Sequence, residues 1–270
     1  MGAGQNTKFY QVLRCKNKEC RKDSLEFIGE EPLLIRIDNK PYSVVMRTPG
    51  QELFHAAGFC LGEGIVESVN DFTTIGYCKD FDPNVIDVRL KPERKEKIHD
   101  ILERRSFISQ TNCGICGKQM MEDLNALLPP AKDGFKIEFD HVFRCAGMLS
   151  QNQKYYPRTR GSHAAMIFNN EMKIISFAED VGRHNALDKA IGCVFMERTL
   201  DAAKLLVLSS RISYELVQKA ARAHLQIIIS KSRPTSLAVE MGKSLNMTLV
   251  CAFGGSELIV VCGEERIITE

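Results

Sequence analysis

The sequence predicts an α/β protein: a layered sheet domain in the C-terminal half, joined to a smaller mixed α+β unit. Three observations carry this. From Ser162 onward, continuous apolar runs alternate with amphipathic segments, the pattern of strands buried on both faces and connected by helices. Upstream, two short apolar runs flank a turn sequence, which marks a hairpin. A chain of 270 residues, 44% of them hydrophobic, can bury a substantial core without covalent staples.

The elements follow in order. Pro32 to Asp38 and Tyr42 to Met46 suit strands, with Asp38-Asn39-Lys40 as their turn. Pro49-Gly50 opens a helix in which Leu53, Ala56, Ala57, Cys60 and Leu61 share a face, and Gly62 and Gly64 end it. Phe72 to Tyr77 and Val85 to Leu90 are further strand candidates, followed by a charged helix that fades near Arg104. Ser106 to Gly117 has no sustained period and reads as a mobile loop. A helical region from Met120 to Tyr156 is interrupted at Leu128-Pro129-Pro130 and around Gly134. The domain boundary is placed at 118/119 within a broad zone of 105–160, so 1–118 form the smaller unit and 119–270 the layered one.

In the second unit, His163 to Phe168 and Lys173 to Phe177 read as strands. A helix follows with Leu187, Ala190, Ile191, Val194 and Phe195 at i, i+3, i+4, i+7, i+8. Next come a strand at Leu205 to Leu208, a helix bearing Leu216, Val217, Ala220 and Ala221, and a strand at Ile227 to Ile229. A helix starting at Pro234 precedes strands at Thr248 to Cys251 and Leu258 to Val261.

Charge and cysteine usage narrow the function classes. A formal net charge of +2 gives no chain-wide basic field, which argues against nucleic acid as a partner. No apolar stretch is long enough to span a membrane. No apolar signal segment opens the chain, and most of the ten cysteines are scattered among apolar residues. That context argues against a disulfide framework and for a reducing, cytoplasmic setting. Cys15 and Cys20 stand in a polar N-terminal tail.

Cys113-Gly114-Ile115-Cys116-Gly117 is the most informative motif. Two thiols two residues apart, each followed by glycine, form a pair with Arg104, Arg105 and Lys118 nearby in sequence. Positive charge favours thiolate. Redox exchange, half of a zinc site and sulfur carriage as a persulfide all use this spacing. A structural zinc needs four ligands, which only Cys15 and Cys20 would supply, at wide spacing. A deaminase zinc needs a His-x-Glu ahead of the pair, where Asn112 stands before Cys113.

The strand ends form a second constellation. Ligands of open parallel sheets bind beyond the carboxyl ends of the strands. The residues that follow here are Ser209-Ser210-Arg211, Ser230-Lys231-Ser232-Arg233 and Phe253-Gly254-Gly255-Ser256, together with a turn after Phe177 containing Glu179, Asp180, Arg183 and His184. Arg183, Arg211, Lys231 and Arg233 beside helix N-termini suit phosphate, with Ser213 as a helix cap. Glu179 or Asp180 would accept hydrogen bonds from a purine. Ordinary capping residues and surface charges look the same one at a time, so their shared edge is what points to a ligand.

These segments closely resemble the FdhD family of formate dehydrogenase accessory sulfur carriers. Arg47-Thr48-Pro49-Gly50, Gly62-Glu63-Gly64-Ile65, the Cys113–Gly117 motif and Gly161-Ser162-His163-Ala164-Ala165 carry the match. So do Glu179 through Lys189, Ser209 through Ala220 and Pro234 through Glu240. The ligand spacing leads to no expected metal, and the resemblance implies a cytoplasmic homodimer with a cytidine-deaminase-like second domain. It implies that sulfur from a cysteine desulfurase reaches molybdenum bis(molybdopterin guanine dinucleotide), which formate dehydrogenase then uses. The persulfide-bearing residue maps onto Cys113, with Cys116 its companion, and guanine nucleotide would mimic the bound cofactor. The cofactor segment maps onto Phe253, Gly254, Gly255, Ser256, Glu257 and Leu258, which lacks a basic residue. Arg160 and Ser210 stand where the family usually has glycine. A cofactor chaperone without sulfur transfer and a zinc-dependent deaminase-like enzyme are the alternative readings.

Overall fold

Pairs of left-handed residues set the first four strands. In the computed structural model, which describes residues 6–78, 82–98, 128, 130–132, 134–253 and 257–269, Asn17 and Lys18 have φ of 51° and 71°, and Asp38 and Asn39 of 49° and 66°. Two consecutive positive φ angles make the tight turn whose twist suits antiparallel strands. The first turn joins β1 (Thr7–Lys16) to β2 (Glu19–Ile28), and the second joins β3 (Glu31–Ile37) to β4 (Lys40–Arg47). The second hairpin matches expectation. The first replaces the anticipated polar tail, because both of its faces meet solvent and its apolar residues show no one-sided alternation: Phe9 and Tyr10 are adjacent and both exposed. Its register sets Cys15 opposite Cys20, and the two form a disulfide. That corrects the expectation of a chain without disulfides and removes both residues as zinc ligands.

β3 and β4 belong to a four-stranded sheet of order β4-β3-β6-β5, with β5 at Phe72–Tyr77 and β6 at Val85–Leu90. Helix α1 (Glu52–Gly62) lies between, and residues 92–98 are also helical. After the short β7 (Ile137–Glu138), which pairs with the C-terminal β14 (Ile267–Ile268), comes α2 (Phe139–Asn152). A single helical turn at Tyr156–Thr159 leads into the main sheet.

That sheet has six strands in the order β13-β12-β11-β10-β8-β9. They are β8 (His163–Phe168), β9 (Ile174–Asp180), β10 (Leu205–Leu208), β11 (Ile227–Ser230), β12 (Thr248–Phe253) and β13 (Glu257–Cys262). β10, β11 and β12 run parallel; β8 is antiparallel to both β9 and β10, and β13 to β12. Helices α3 (Arg183–Met196), α4 (Tyr214–Arg222) and α5 (Ser236–Ser244) connect them. Several boundaries differ from expectation, and two of them bear on the strand ends. β9 runs on through Glu179 and Asp180 instead of turning after Phe177, and α5 is capped by the Thr235 hydroxyl, leaving Pro234 ahead of the helix.

Strand alternation sorts the core into layers. Leu206, Leu208 and Ile228 face α1, α3, α4 and α5, while Leu205, Val207 and Ile229 face Val142 and Leu149 of α2. The first cluster also takes in Leu33, Ile35, Ile86 and Val88 of the smaller sheet, so one apolar core is continuous across both sheets. Position 119, the expected boundary, lies outside the described residues.

Backbone contact between α1 and α3 fixes this stacking. A Cβ on Gly58 would lie 1.9 Å from the Asp188 carbonyl oxygen, and one on Gly192 would lie 1.8 Å from that of Phe54. No side chain fits at either position without driving the helices apart. Gly192→Ala should therefore lower stability by about 3 kcal/mol or more, the upper range for overpacking. Gly147→Ala, in α2 with no atom within 4 Å, should raise stability by roughly 0.5–1 kcal/mol. Urea denaturation of the two variants checks this, and similar effects at both sites would contradict the close approach.

Candidate functional site

Strand register gathers one edge of the main sheet. His163 pairs with Asp180, Ala165 with Leu208, Leu208 with Ser230, Ser230 with Cys251, and Phe253 with Glu257. β9, β10, β11 and β12 thus end where β8 and β13 begin, and α3, α4 and α5 start from the same side. The edge brings together His163, Arg183, His184, Arg211, Lys231, Arg233, Phe253, Glu257 and Leu258. Gly254, Gly255 and Ser256 lie outside the described residues, as do Cys113 and Cys116.

The cations of this edge differ in setting. Arg211, Lys231 and Arg233 are exposed, and Lys231 Nζ reaches Ser150 Oγ at 2.5 Å. Arg183 is half-buried, and its Nε is shielded from solvent with no hydrogen-bond partner among the described residues. Ser213 occupies the cap position of α4, yet its Oγ makes no cap bond and is equally shielded and unpartnered. Unpaired buried polar atoms are costly and uncommon. Two of them at the same edge as exposed guanidinium and ammonium groups are a donor set that suits an anion with several oxygens.

Two imidazoles tune the field here. Burial pulls His163 below its ordinary value, Arg183 adds to that and Asp180 opposes it. His184 is lowered too, first by burial, against the pull of Glu215, whose carboxylate lies 2.7 Å from Nε2. Both imidazoles are therefore biased toward the neutral form.

The acidic residues of the motif work inside the fold. Asp180 is fully buried and ion-paired with Lys189 at 2.6 Å. Its carboxylate also accepts from Thr48 N (3.1 Å), Gly182 N (2.9 Å) and Asn185 Nδ2 (2.9 Å). Thr48 completes the clamp: its Oγ1 accepts from Val181 N at 3.0 Å, and its carbonyl accepts from Lys189 Nζ at 2.7 Å. Asp180 thus has no oxygen to offer a purine, which corrects that expectation. Glu179 is spent likewise, accepting from the backbone N–H groups of Lys154, Tyr155 and Tyr156 and from the Ser162 hydroxyl. It caps the one-turn helix.

A second buried pair lies one helical face away. Lys219 Nζ contacts both Asp188 oxygens at 2.6 and 2.7 Å and sits 5.4 Å from the Phe59 ring centroid. Burial raises the Asp188 carboxyl pKa, with Lys219 opposing, and burial lowers that of Lys189, with Asp180 opposing. Thr48, Lys189, Lys219 and the fully buried His55 were not among the expected site residues. One signal existed for Lys219, which stands three residues after Leu216 on the apolar stripe of α4, where a cation needs an internal counter-ion.

Comparison with known proteins places this arrangement. Residues 28–268 match the family model described as the FdhD/NarQ family. The chain is 33% identical to "Sulfur carrier protein FdhD" of Streptomyces avermitilis, over 98% of this chain and 96% of the relative. It is also 33% identical to the protein of that name from Saccharolobus solfataricus, over 98% and 99% of the two chains. The Mycobacterium tuberculosis protein is 35% identical over 88% of this chain and 90% of its own. The fold is similar to the crystal structure of a protein described as a formate dehydrogenase accessory protein from Desulfotalea psychrophila. That similarity has a TM-score of 0.78 and 22% identity, covering 98% of this chain and 100% of the other.

His55 makes a pH prediction. Burial, reinforced by the Lys189, Lys219 and Arg47 cations, holds its imidazole well below the ordinary 6.5. As pH falls through about 6.5 the unfolded chain takes up a proton that the folded chain refuses. The His55 contribution to stability is therefore fully present above that pH and declines below it. The urea midpoint should fall less between about pH 7.5 and about pH 5.5 in His55→Leu than in the native protein. Equal falls would contradict a neutral buried His55.

Proposed function

The chain belongs to the FdhD/NarQ family, and from that premise we propose that it is a persulfide sulfur carrier serving formate dehydrogenase. Cys113 accepts sulfur from a cysteine desulfurase and passes it to molybdenum bis(molybdopterin guanine dinucleotide), the bound substrate, before formate dehydrogenase receives that cofactor. The observation that carries this reading is the sheet edge, where exposed Arg211, Lys231 and Arg233 share the strand ends with shielded, unpartnered donors of Arg183 and Ser213. A dinucleotide pterin presents phosphates that suit such a set. The order β9-β8-β10-β11-β12-β13 supports reading the sheet as the cytidine-deaminase-like layer. The working state is proposed to be a cytoplasmic homodimer.

The chemistry starts from thiolate. Cys113 Sγ attacks the terminal sulfur of the desulfurase persulfide, forming one S–S bond while the desulfurase cysteine leaves as a thiolate. Arg104, Arg105 and Lys118, near in sequence, favour the attacking anion. Cys116 then has a resolving role: its thiolate attacks Cys113 Sγ, releases hydrosulfide and closes a Cys113–Cys116 disulfide. The two cysteines supply the two electrons.

Among the described residues, no group of three or more His, Cys, Asp and Glu side chains is placed to hold a metal ion. The cofactor-chaperone reading shares the anion edge and differs only at the cysteines. Incubation with a desulfurase and cysteine, followed by mass spectrometry, should find added sulfur on the Cys113 peptide. Cys113→Ala should lose both the added sulfur and formate dehydrogenase activation while the fold is retained. Full activation by a Cys113→Ala, Cys116→Ala variant would instead establish the chaperone.

A further inference from the structure

The β1–β2 hairpin carries chemistry that sulfur transfer at Cys113 does not use. Cys15 and Cys20 face each other one pair beyond the Asn17-Lys18 turn, and both are exposed. The other described cysteines are buried or half-buried, and burial raises the thiols of Cys60, Cys145, Cys193, Cys251 and Cys262. The bond spans a sequence separation of five, so it constrains the unfolded chain less than a long-range crosslink would. The hairpin is secured at its other end, where Asn6 Nδ2 donates to Tyr155 OH at 2.6 Å, Gly29 N donates to Asn6 O at 2.7 Å and Arg158 pairs with Glu26 at 2.9 Å. Lys16, Lys18, Arg21 and Lys22 flank the two sulfurs in sequence and favour a departing thiolate.

From this placement we propose that Cys15–Cys20 is a reversible thiol–disulfide exchange site for small thiols, independent of Cys113 and Cys116. A small thiolate attacks one sulfur, breaking the Cys15–Cys20 bond and forming a mixed disulfide. A second small thiolate attacks that mixed disulfide and leaves as the oxidised small disulfide. Two electrons pass from the small thiols to the protein, and two protons from solution end on Cys15 and Cys20. The exposed tip opens while the anchored base and the body of the fold stay as they are.

The test equilibrates the full chain in glutathione buffers of graded ratio, then quenches, alkylates and weighs the peptide holding both cysteines. The pair should be oxidised in excess glutathione disulfide and become fully reduced in millimolar glutathione, with an unchanged circular dichroism spectrum. A Cys113→Ser, Cys116→Ser variant should show the same transition, and Cys20→Ser should hold one glutathione on Cys15. A pair that stays oxidised in millimolar glutathione, or stays reduced in excess glutathione disulfide, overturns the proposal. So does a transition that vanishes in the Cys113→Ser, Cys116→Ser variant.

Discussion

The Asp180 carboxylate, sealed from water and held 2.6 Å from Lys189 Nζ, joins the two sheets at the point where the candidate site begins. Thr48 follows β4 of the smaller sheet, Asp180 ends β9 of the main one, and Lys189 rises from α3. Each supplies hydrogen-bonding groups that the others need, so none can move alone. Removing one member of such a pair strands the other charge, typically at about 3–5 kcal/mol. The glycine contact between α1 and α3 makes the geometry possible, because only backbone-close helices bring Thr48 within reach of Lys189.

From that clamp the division of charge follows. Carboxylates of the motif are turned inward, with Glu179 capping a helical turn and Asp180 and Asp188 paired with lysines. Among the described residues, Arg183, Arg211, Lys231 and Arg233 at the strand ends make no ion pair, while His184 lies beside Glu215. A near-neutral chain thereby acquires a local cationic edge. Val181 and Gly182, hydrogen-bonded to the clamp, set where Arg183 and His184 emerge.

The main sheet was legible because strands buried on both faces show as continuous apolar runs. Leu205 to Leu208 and Ile227 to Ile229 need no partner to be recognised. The cationic edge was legible for the same reason, since residues after a strand must lie at its end. The roles of Glu179 and Asp180 were not, because acidic residues read as turn or surface unless their counter-ion is known, and Thr48 lies 132 residues from Asp180. The β1–β2 hairpin escaped because solvent on both faces erases alternation, and only its turn residues marked it. Cys113 and Cys116 were read from spacing and resemblance, and they lie outside the described residues.

In the proposed function, the buried clamp holds the cationic sheet edge in shape to bind the phosphates of a guanine dinucleotide. Calorimetric affinity for guanosine diphosphate, at matched salt, tests it in the native protein, Arg211→Ala and Thr48→Val. Losing one charge-assisted contact of roughly 1.5–3 kcal/mol should weaken binding by Arg211→Ala about tenfold to a hundredfold. Thr48→Val, which keeps its shape and removes the acceptor for Val181 N, should weaken binding as well although the residue lies beneath the edge. Native affinity in both variants would contradict the account and move the phosphate site elsewhere.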